Sequence, residues 1–316
     1  MKSINKVLIL GATGGIGSEI AHKLIRDEWD VRALRRNIPG NGAHSKSITW
    51  ISGDAQNAEQ VQAAASKCSV IVHAVNPPGY RNWEQLVLPM LHNTISAAER
   101  NGALIVLPGT IYNYGPDAFP LLREDSPQDP VTRKGAIRVQ MEKALSAYAQ
   151  RGGKVLILRA GDFFGPHAGN NWFSQGLVKP GHPPKVIKNP GQTGAGHQWA
   201  YLPDVAETVA ALLARRDDLE PFSCFHMRGH WDPDGTTMTT AIKHVAEHAG
   251  IKAKEMCFFL FDKNGKTFMS TGIELEMLKK YNPRDNRTGL VYFSSSNPDV
   301  LNMPFVRFGI GKDCIN

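Results

Sequence analysis

The chain has 316 residues, 42% of them hydrophobic and 21% charged, the balance of a globular protein with room for a large core. Its net charge of +7 is spread as single residues and short pairs, with no Lys/Arg tract, so nucleic acid is not an expected partner and the excess suits an anionic small molecule. The 4 cysteines (Cys68, Cys224, Cys257 and Cys314) lie far apart without a CxxC pair, which argues against a disulfide scaffold or a structural zinc and fits a reducing cytoplasm.

No apolar run is long enough to span a bilayer, and Met1–Lys6 leads straight into the first strand, so neither a membrane partner nor a leader is expected. The expected location is therefore cytoplasmic. There is no internal repeat or low-complexity segment.

Val7–Leu10 is a short continuous apolar run, the signature of a strand buried on both faces. Gly11, Gly14 and Gly17 follow, and then a helical pattern with Ile16, Ile20 and Leu24 on one face. A strand, a glycine turn and a helix N-terminus make a phosphate site, because missing Cβ atoms let a pyrophosphate reach free backbone N–H groups. The turn from Gly11 to Gly17, with Thr13, Gly15 and Ile16, is thus expected to hold a dinucleotide.

The second strand, Asp30–Arg35, ends in Arg35 and Arg36. An NAD site carries an acidic side chain at this point, for the ribose 2′-OH. Two guanidinium groups suit a 2′-phosphate instead, so NADP(H) is the expected cofactor; the plainer alternative is a surface arginine pair.

A third strand, Ile48–Ser52, leads to Gly53–Asp54, where Asp54 either borders the adenine or caps a helix. The fourth strand, Val70–Val75, places Ala74 and Val75 beside the cofactor and Asn76 within reach of a substrate. A helix from about Trp83 to Arg100 follows, with Asn82 as its cap and Pro89 as a kink. The fifth strand, Ala103–Leu107, ends in PGTIYNYGP.

Pro130 and Thr132 open the next helix, and Gly152–Gly153 close it. Ile137, Met141, Leu145 and Tyr148 fall on one face, with Lys134 in the same arc and Arg138 and Glu142 on its edge. A lysine on such a face either snorkels from the first turn or faces the mouth of the cofactor crevice. The sixth strand, Lys154–Arg159, runs into AGDFFGP, and loops rich in Gly and Pro fill His167–Gly196.

Asp204, with Glu207 three residues on, reads as the N-cap of a helix to about Arg215. Beyond it the pattern gives a strand near Cys224–Met227, a helix near Thr239–Ala249, a strand near Met256–Phe261 and a helix near Ile273–Lys280. The expected fold is α/β: a doubly wound parallel Rossmann sheet with a smaller C-terminal substrate lobe. The expected domains are 1–165 plus about 197–216 for the cofactor, and about 166–196 plus 217–316 for the substrate.

GATGGIG, the arginine after the second strand, the GD pair at 53–54, PGTIYNYG, LRAGDFFGP and YLPDVAETV together resemble the extended or atypical short-chain dehydrogenases/reductases of the NAD(P)-dependent epimerase/dehydratase type. The match covers about residues 6–215. It implies a nicotinamide cofactor and a substrate held between lobes. It also suggests a homodimer through the helices near 83–100 and 133–150; a monomer fits the composition equally.

Extended members carry a catalytic Tyr-x-x-x-Lys, with a Ser or Thr upstream. Here the hydroxyl position falls on Thr110, while Lys134 and Arg138 stand in the places of the Tyr and the Lys. The segment Lys134–Glu142 resembles instead that of isoflavone-reductase-like NADPH reductases, in which a helix lysine is the general acid/base. That resemblance gives Lys134 the proton-donor role.

Thr110 either orients a substrate carbonyl or ends a strand. Tyr112 and Tyr114 are either substitute proton donors or packing. Asp162 either touches substrate or cofactor or fixes the GDFFGP turn, and His167, His197 and Trp199 are candidates for the substrate pocket. His244 and His248 lie one helical turn apart without a third ligand, so no metal site is expected.

The reading that follows is an NADPH-dependent oxidoreductase reducing a C=O or activated C=C of a small, partly apolar substrate. Its rivals are a nucleotide-sugar epimerase/dehydratase and a catalytically silent NADP(H)-binding sensor.

Overall fold

The computed structural model describes residues 4–38, 47–77, 82–118, 121–166, 171, 173–179, 181–189, 196–257, 260–261, 267–268 and 292–294. In chain order the elements are β1 (Lys6–Leu10), α1 (Gly15–Arg26), β2 (Asp30–Arg35), β3 (Ile48–Ser52), α2 (Ala58–Ala64), β4 (Val70–His73), α3 (Trp83–Asn101), β5 (Leu104–Gly109), β6 (Leu121–Arg123) and α4 (Arg133–Gln150). Then come β7 (Lys154–Arg159), β8 (Asp162–Phe164), β9 (Val186–Asn189), β10 (His197–Tyr201), α5 (Leu202–Ala214), β11 (Phe222–His226), β12 (His230–Asp232), α6 (Thr236–His248) and β13 (Lys254–Cys257). Three short strands complete the set: β14 (Leu260–Phe261), β15 (Thr267–Phe268) and β16 (Tyr292–Ser294).

The chain forms two compact units. The first comprises Met1–Gly109, Ile137–Arg159 and Leu202–Phe225. Its sheet runs β11-β7-β5-β4-β1-β2-β3, a Rossmann-like arrangement. From β1 the chain winds outward through β2 and β3, then returns to β4 on the other side of β1 and winds through β5 and β7, each neighbour parallel to the next. The order reverses between β1 and β4, so a crevice opens beyond their C-terminal ends.

Burial explains why these runs are strands. Val7, Leu8, Ile9 and Leu10 are all buried. Leu8 and Leu10 join Ile71, Ile105 and Ile157 in one core cluster. That cluster also takes Val87, Leu91 and Ile95 of α3 and the predicted α4 face of Ile137, Met141, Leu145 and Tyr148. Each such aliphatic side chain contributes about 1.5–3 kcal/mol when fully buried.

The second unit comprises Thr110–Ala136, Ala160–Tyr201 and His226–Asn316. It holds a three-stranded sheet, β12-β10-β8, and the pairs β13-β9, β14-β15 and β16-β6. Its small core gathers Leu177, Ile187, Trp199 and Ile242.

Several sequence expectations are corrected. The strand expected near Cys224–Met227 in the C-terminal group is Phe222–His226, the edge strand of the large sheet. Asp204 is not the cap of α5, which begins at Leu202; Pro203 fits the first turn because its missing N–H is not needed there. Glu207 turns instead to Lys23 and Arg26 of α1, at 2.8 Å and 3.5 Å.

Asn82 does precede α3, but in the left-handed conformation and without a side-chain cap bond. The strand expected near Met256–Phe261 begins earlier, at Lys254. The helix expected near Ile273–Lys280 lies outside the described residues.

Candidate functional site

The glycine turn divides its three glycines by task. Gly11 has φ +91°, and a Cβ there would lie 2.5 Å from the Ala74 carbonyl oxygen, so it lets the end of β1 pass against the end of β4. A Cβ on Gly17 would lie 2.2 Å from the Gly11 oxygen, so that glycine seats α1 on the turn. Gly14 is different: among the described residues a Cβ there would meet only the Gly11 oxygen, at 3.4 Å. The fold itself does not require glycine at 14.

Gly14 is also the N-cap of α1, with no side-chain cap bond and no acidic residue in the first turn. No side chain of the cap or first turn therefore offsets the positive end of the helix dipole. An anionic group approaching over Gly14 meets backbone N–H groups and no Cβ, which fits a diphosphate. Thr13 and Gly15 border this opening, Ile16 lies in the first turn, and Ala74 and Val75 form its wall beside Gly11.

At the end of β2, Arg35 is half-buried and its guanidinium lies over the ring of Trp50, 5.8 Å from the centroid. Arg36 is exposed. Asp54 is not the cap of α2. Its Oδ1 accepts from the Gln56 N–H at 3.0 Å, closing a local turn, while the cap is Asn57, whose Oδ1 accepts from the Gln60 N–H at 3.0 Å.

Beyond β4, Asn76 Oδ1 accepts from Trp83 Nε1 at 2.5 Å, and the Arg138 guanidinium lies 5.1 Å from the centroid of a Trp83 ring. The Asn76 carbonyl is thus engaged by Trp83. Behind it, His73 is buried with its Nδ1 2.8 Å from Thr94 Oγ1. The Thr94 hydroxyl donates to the Met90 carbonyl at 3.1 Å, so it accepts from His73, which assigns the imidazole proton to Nδ1. Burial, and then the charge of Arg138, push the His73 pKa down to about 3.

The second unit holds the other candidates. Thr132 Oγ1 accepts from the Gly135 N–H at 3.0 Å and so opens α4. A Cβ on Gly135 would lie 2.1 Å from the Tyr112 carbonyl oxygen, so the first turn of α4 lies tight against the turn that follows β5. Lys134, half-buried, is thereby brought to the segment that carries Thr110 and Tyr112, both also half-buried. Thr110 Oγ1 shapes that segment, accepting from the Tyr112 N–H at 3.4 Å.

Tyr114 is buried, its hydroxyl 3.1 Å from His226 Nε2 and 3.4 Å from the Arg123 carbonyl. Its hydroxyl is thus engaged within the second unit. Asp162 Oδ2 lies 2.9 Å from His197 Nε2, and the His197 ring packs on Trp199 with centroids 4.3 Å apart. Trp199 is 2% exposed and belongs to the core cluster of the second unit. His167 lies outside the described residues.

Among the described residues no cluster of three or more His, Cys, Asp or Glu side chains has the arrangement to hold a metal, and no helix is long and apolar enough to cross a membrane. His248 Nδ1 donates to the His244 carbonyl at 2.9 Å, so this pair is tied within its own helix.

Sequence reasoning missed Trp50, Trp83 and Gly135. Gly135 had a local signal, a glycine at the third position of an otherwise good helix. The tryptophans had none, since their partners are set by the sheet and by α4.

The strand order and the glycine turn define a Rossmann-type α/β protein. Its family follows from comparison: residues 7–225 match the NAD dependent epimerase/dehydratase family, and the chain belongs to it. The uncharacterized protein y4nL of Sinorhizobium fredii (strain NBRC 101917 / NGR234) is 25% identical over 182 residues, 51% of this chain and 51% of that one. The chain thus spans about half the length of the curated relative it matches.

Among solved structures, MoeE5 in complex with UDP-glucose and NAD has a TM-score of 0.69 at 17% identity, covering 98% of this chain and 96% of that one. DesIV, a dTDP-glucose 4,6-dehydratase from Streptomyces venezuelae with NAD bound, scores 0.65 at 15% identity, with 98% and 93% covered. The Thermus thermophilus UDP-glucose 4-epimerase complex with NAD scores 0.63 at 20% identity, with 89% and 96% covered. These likenesses concern the fold.

Proposed function

We propose that the chain is an NADP(H)-dependent oxidoreductase that reduces a C=O or activated C=C of a small, partly apolar substrate. The observation that carries this reading is the pairing of an open Gly14 cradle at α1 with Arg35 at the end of β2. Gly11, Gly14 and Gly17, with Thr13, Gly15 and Ile16, hold the pyrophosphate. Arg35 and Arg36 hold the 2′-phosphate, and Asp54 borders the adenine. Ala74 and Val75 line the crevice.

When bound, the cofactor supplies hydride to the substrate carbon. Thr110 orients the oxygen, and the Lys134 ammonium, as general acid, gives it a proton and is restored from solvent. Arg138 keeps a positive charge on the same helix, and Tyr112 flanks Lys134. Asn76 and Asp162 offer polar contacts to the substrate. In this reading the cofactor part is 1–165 with about 197–216, and the remainder shapes the substrate site.

The test begins with titration of NADPH, NADH and NADP⁺, followed by a screen of carbonyl compounds and enones for loss of NADPH absorbance. Lys134→Met and Lys134→Arg are expected to abolish turnover while cofactor affinity changes little. Full activity in both variants ends the role given to Lys134.

A second reading is favoured by one observation, the near-complete coverage of a UDP-glucose complex by this fold. It is a nucleotide-sugar epimerase or dehydratase. It predicts affinity for a nucleoside diphosphate, measured by titrating UDP and dTDP alongside the dinucleotides.

A further inference from the structure

Strands β2 and β3 end with a cation and an indole side by side. Their parallel register pairs Ala33 with Trp50 and Arg35 with Ser52. Side chains alternate along a strand, so Arg35 leaves the same sheet face as Ala33 and its neighbour Trp50. The Arg35 guanidinium carbon lies 5.8 Å from the centroid of the Trp50 ring, within the range of a cation–π contact. The Gly53 N–H donates to the Arg35 carbonyl at 3.0 Å, which fixes the backbone from which the side chain departs.

The indole comes with a cost. Its Nε1 is buried and has no hydrogen-bond partner among the described residues. A buried, unmatched N–H is unfavourable, and phenylalanine would avoid it. What tryptophan offers over phenylalanine is the stronger aromatic face for a cation.

We propose that Trp50 is a specificity-determining positioning residue for a phosphate monoester on an adenosine ribose. It holds the Arg35 guanidinium by its flat face, which leaves the edge N–H groups for phosphate oxygens. A free arginine loses rotamer freedom when it engages a ligand; a stacked one has already lost part of it. Arg36, exposed, has no such platform in the described register. This inference rests on the NADP(H) reading above and adds to it a residue without charge.

The experiment is calorimetric titration of the full chain with adenosine 2′,5′-bisphosphate and with adenosine 5′-monophosphate, for the unmutated protein, Trp50→Ala, Trp50→Phe, Arg35→Ala and the Trp50→Ala/Arg35→Ala double variant. Trp50→Ala is expected to lose about two- to five-fold of the preference for the bisphosphate, the size of one partly exposed cation–π contact, with monophosphate affinity retained. Trp50→Phe is expected to keep most of the preference, and the double variant to match Arg35→Ala.

Full preference in Trp50→Ala, or equal loss for both ligands, overturns the inference while leaving the NADP(H) reading in place. An unmutated chain that binds the two ligands equally overturns that reading, and the role of Trp50 with it.

Discussion

Glu142 and Arg159 meet through two hydrogen bonds of 2.6 Å, from Arg159 Nη1 to Glu142 Oε1 and from Arg159 Nη2 to Glu142 Oε2, and both residues are buried. The pair ties α4 to the end of β7. A Cβ on Gly109 would lie 2.7 Å from the Arg159 side chain, so the end of β5 is shaped around it as well. Removing one member strands a buried charge, which costs about 3–5 kcal/mol; replacing both by apolar residues removes the desolvation burden along with the attraction. Glu142→Leu and Arg159→Met are each expected to lower the denaturation midpoint sharply, and the double variant to lose less than the two singles together. Urea unfolding of the three variants checks this, and strict additivity would show that the pair is not coupled.

His73 sets a pH window. In the folded chain it stays neutral down to about pH 3, because burial and the charge of Arg138 oppose its protonation. In the unfolded chain the imidazole protonates near pH 6.5. Between these values the unfolded state binds the extra proton, so stability is full above about 6.5 and falls as pH drops toward 3, by up to about 1.4 kcal/mol per pH unit. Unfolding measured from about pH 7 to about pH 4 should show this slope, and His73→Asn should flatten it whatever its absolute stability. An unchanged slope would assign the acid sensitivity to other groups.

What could be read from the sequence was local. Val7–Leu10, the glycine turn and the α4 face of Ile137, Met141, Leu145 and Tyr148 announce themselves through period and spacing, and the apolar run and the α4 face are buried as expected. Glu142 and Arg159 are legible only as charges at the edges of apolar patterns; their union needs the packing of a helix on a strand. Glu207 reads as a capping-box partner three residues after Asp204, yet Lys23 of α1 claims it. Trp50 sits in a strand pattern that explains it fully as packing, and only the register with β2 places it under Arg35. Tertiary partners override local signals where charge or aromatic faces are involved.

Asp232 gives a test of the second unit alone. It is buried, and its carboxylate accepts from the Thr237 N–H at 3.2 Å and the Met238 N–H at 2.9 Å. Both donors belong to the first turn of α6, which otherwise begins at Gly235 without a side-chain cap bond. Asp232→Ala is expected to cost about 1–2 kcal/mol, and Asp232→Asn less, since one acceptor oxygen remains. Hydrogen exchange of α6 amides would report the loss locally, and unchanged protection in Asp232→Ala would refute the capping role.

Gly14 and Gly17 should respond in opposite ways to one added methyl group. At Gly17 a Cβ would sit 2.2 Å from the Gly11 carbonyl oxygen, a backbone atom that cannot swing aside. Alanine gains about 1 kcal/mol over glycine inside a helix. Overpacking against a fixed atom costs about 1–3 kcal/mol or more, and here the clash is severe enough to win. Gly17→Ala is therefore expected to be destabilising. At Gly14 φ is −88°, which any residue adopts, and the nearest atom to a Cβ is at 3.4 Å. Gly14→Ala should leave the thermal midpoint nearly unchanged while weakening dinucleotide binding by about tenfold or more, because the methyl group occupies the path to the backbone N–H groups. Thermal unfolding paired with NADPH titration separates the two effects. Undiminished binding in Gly14→Ala would mean that the phosphates do not pass over the turn.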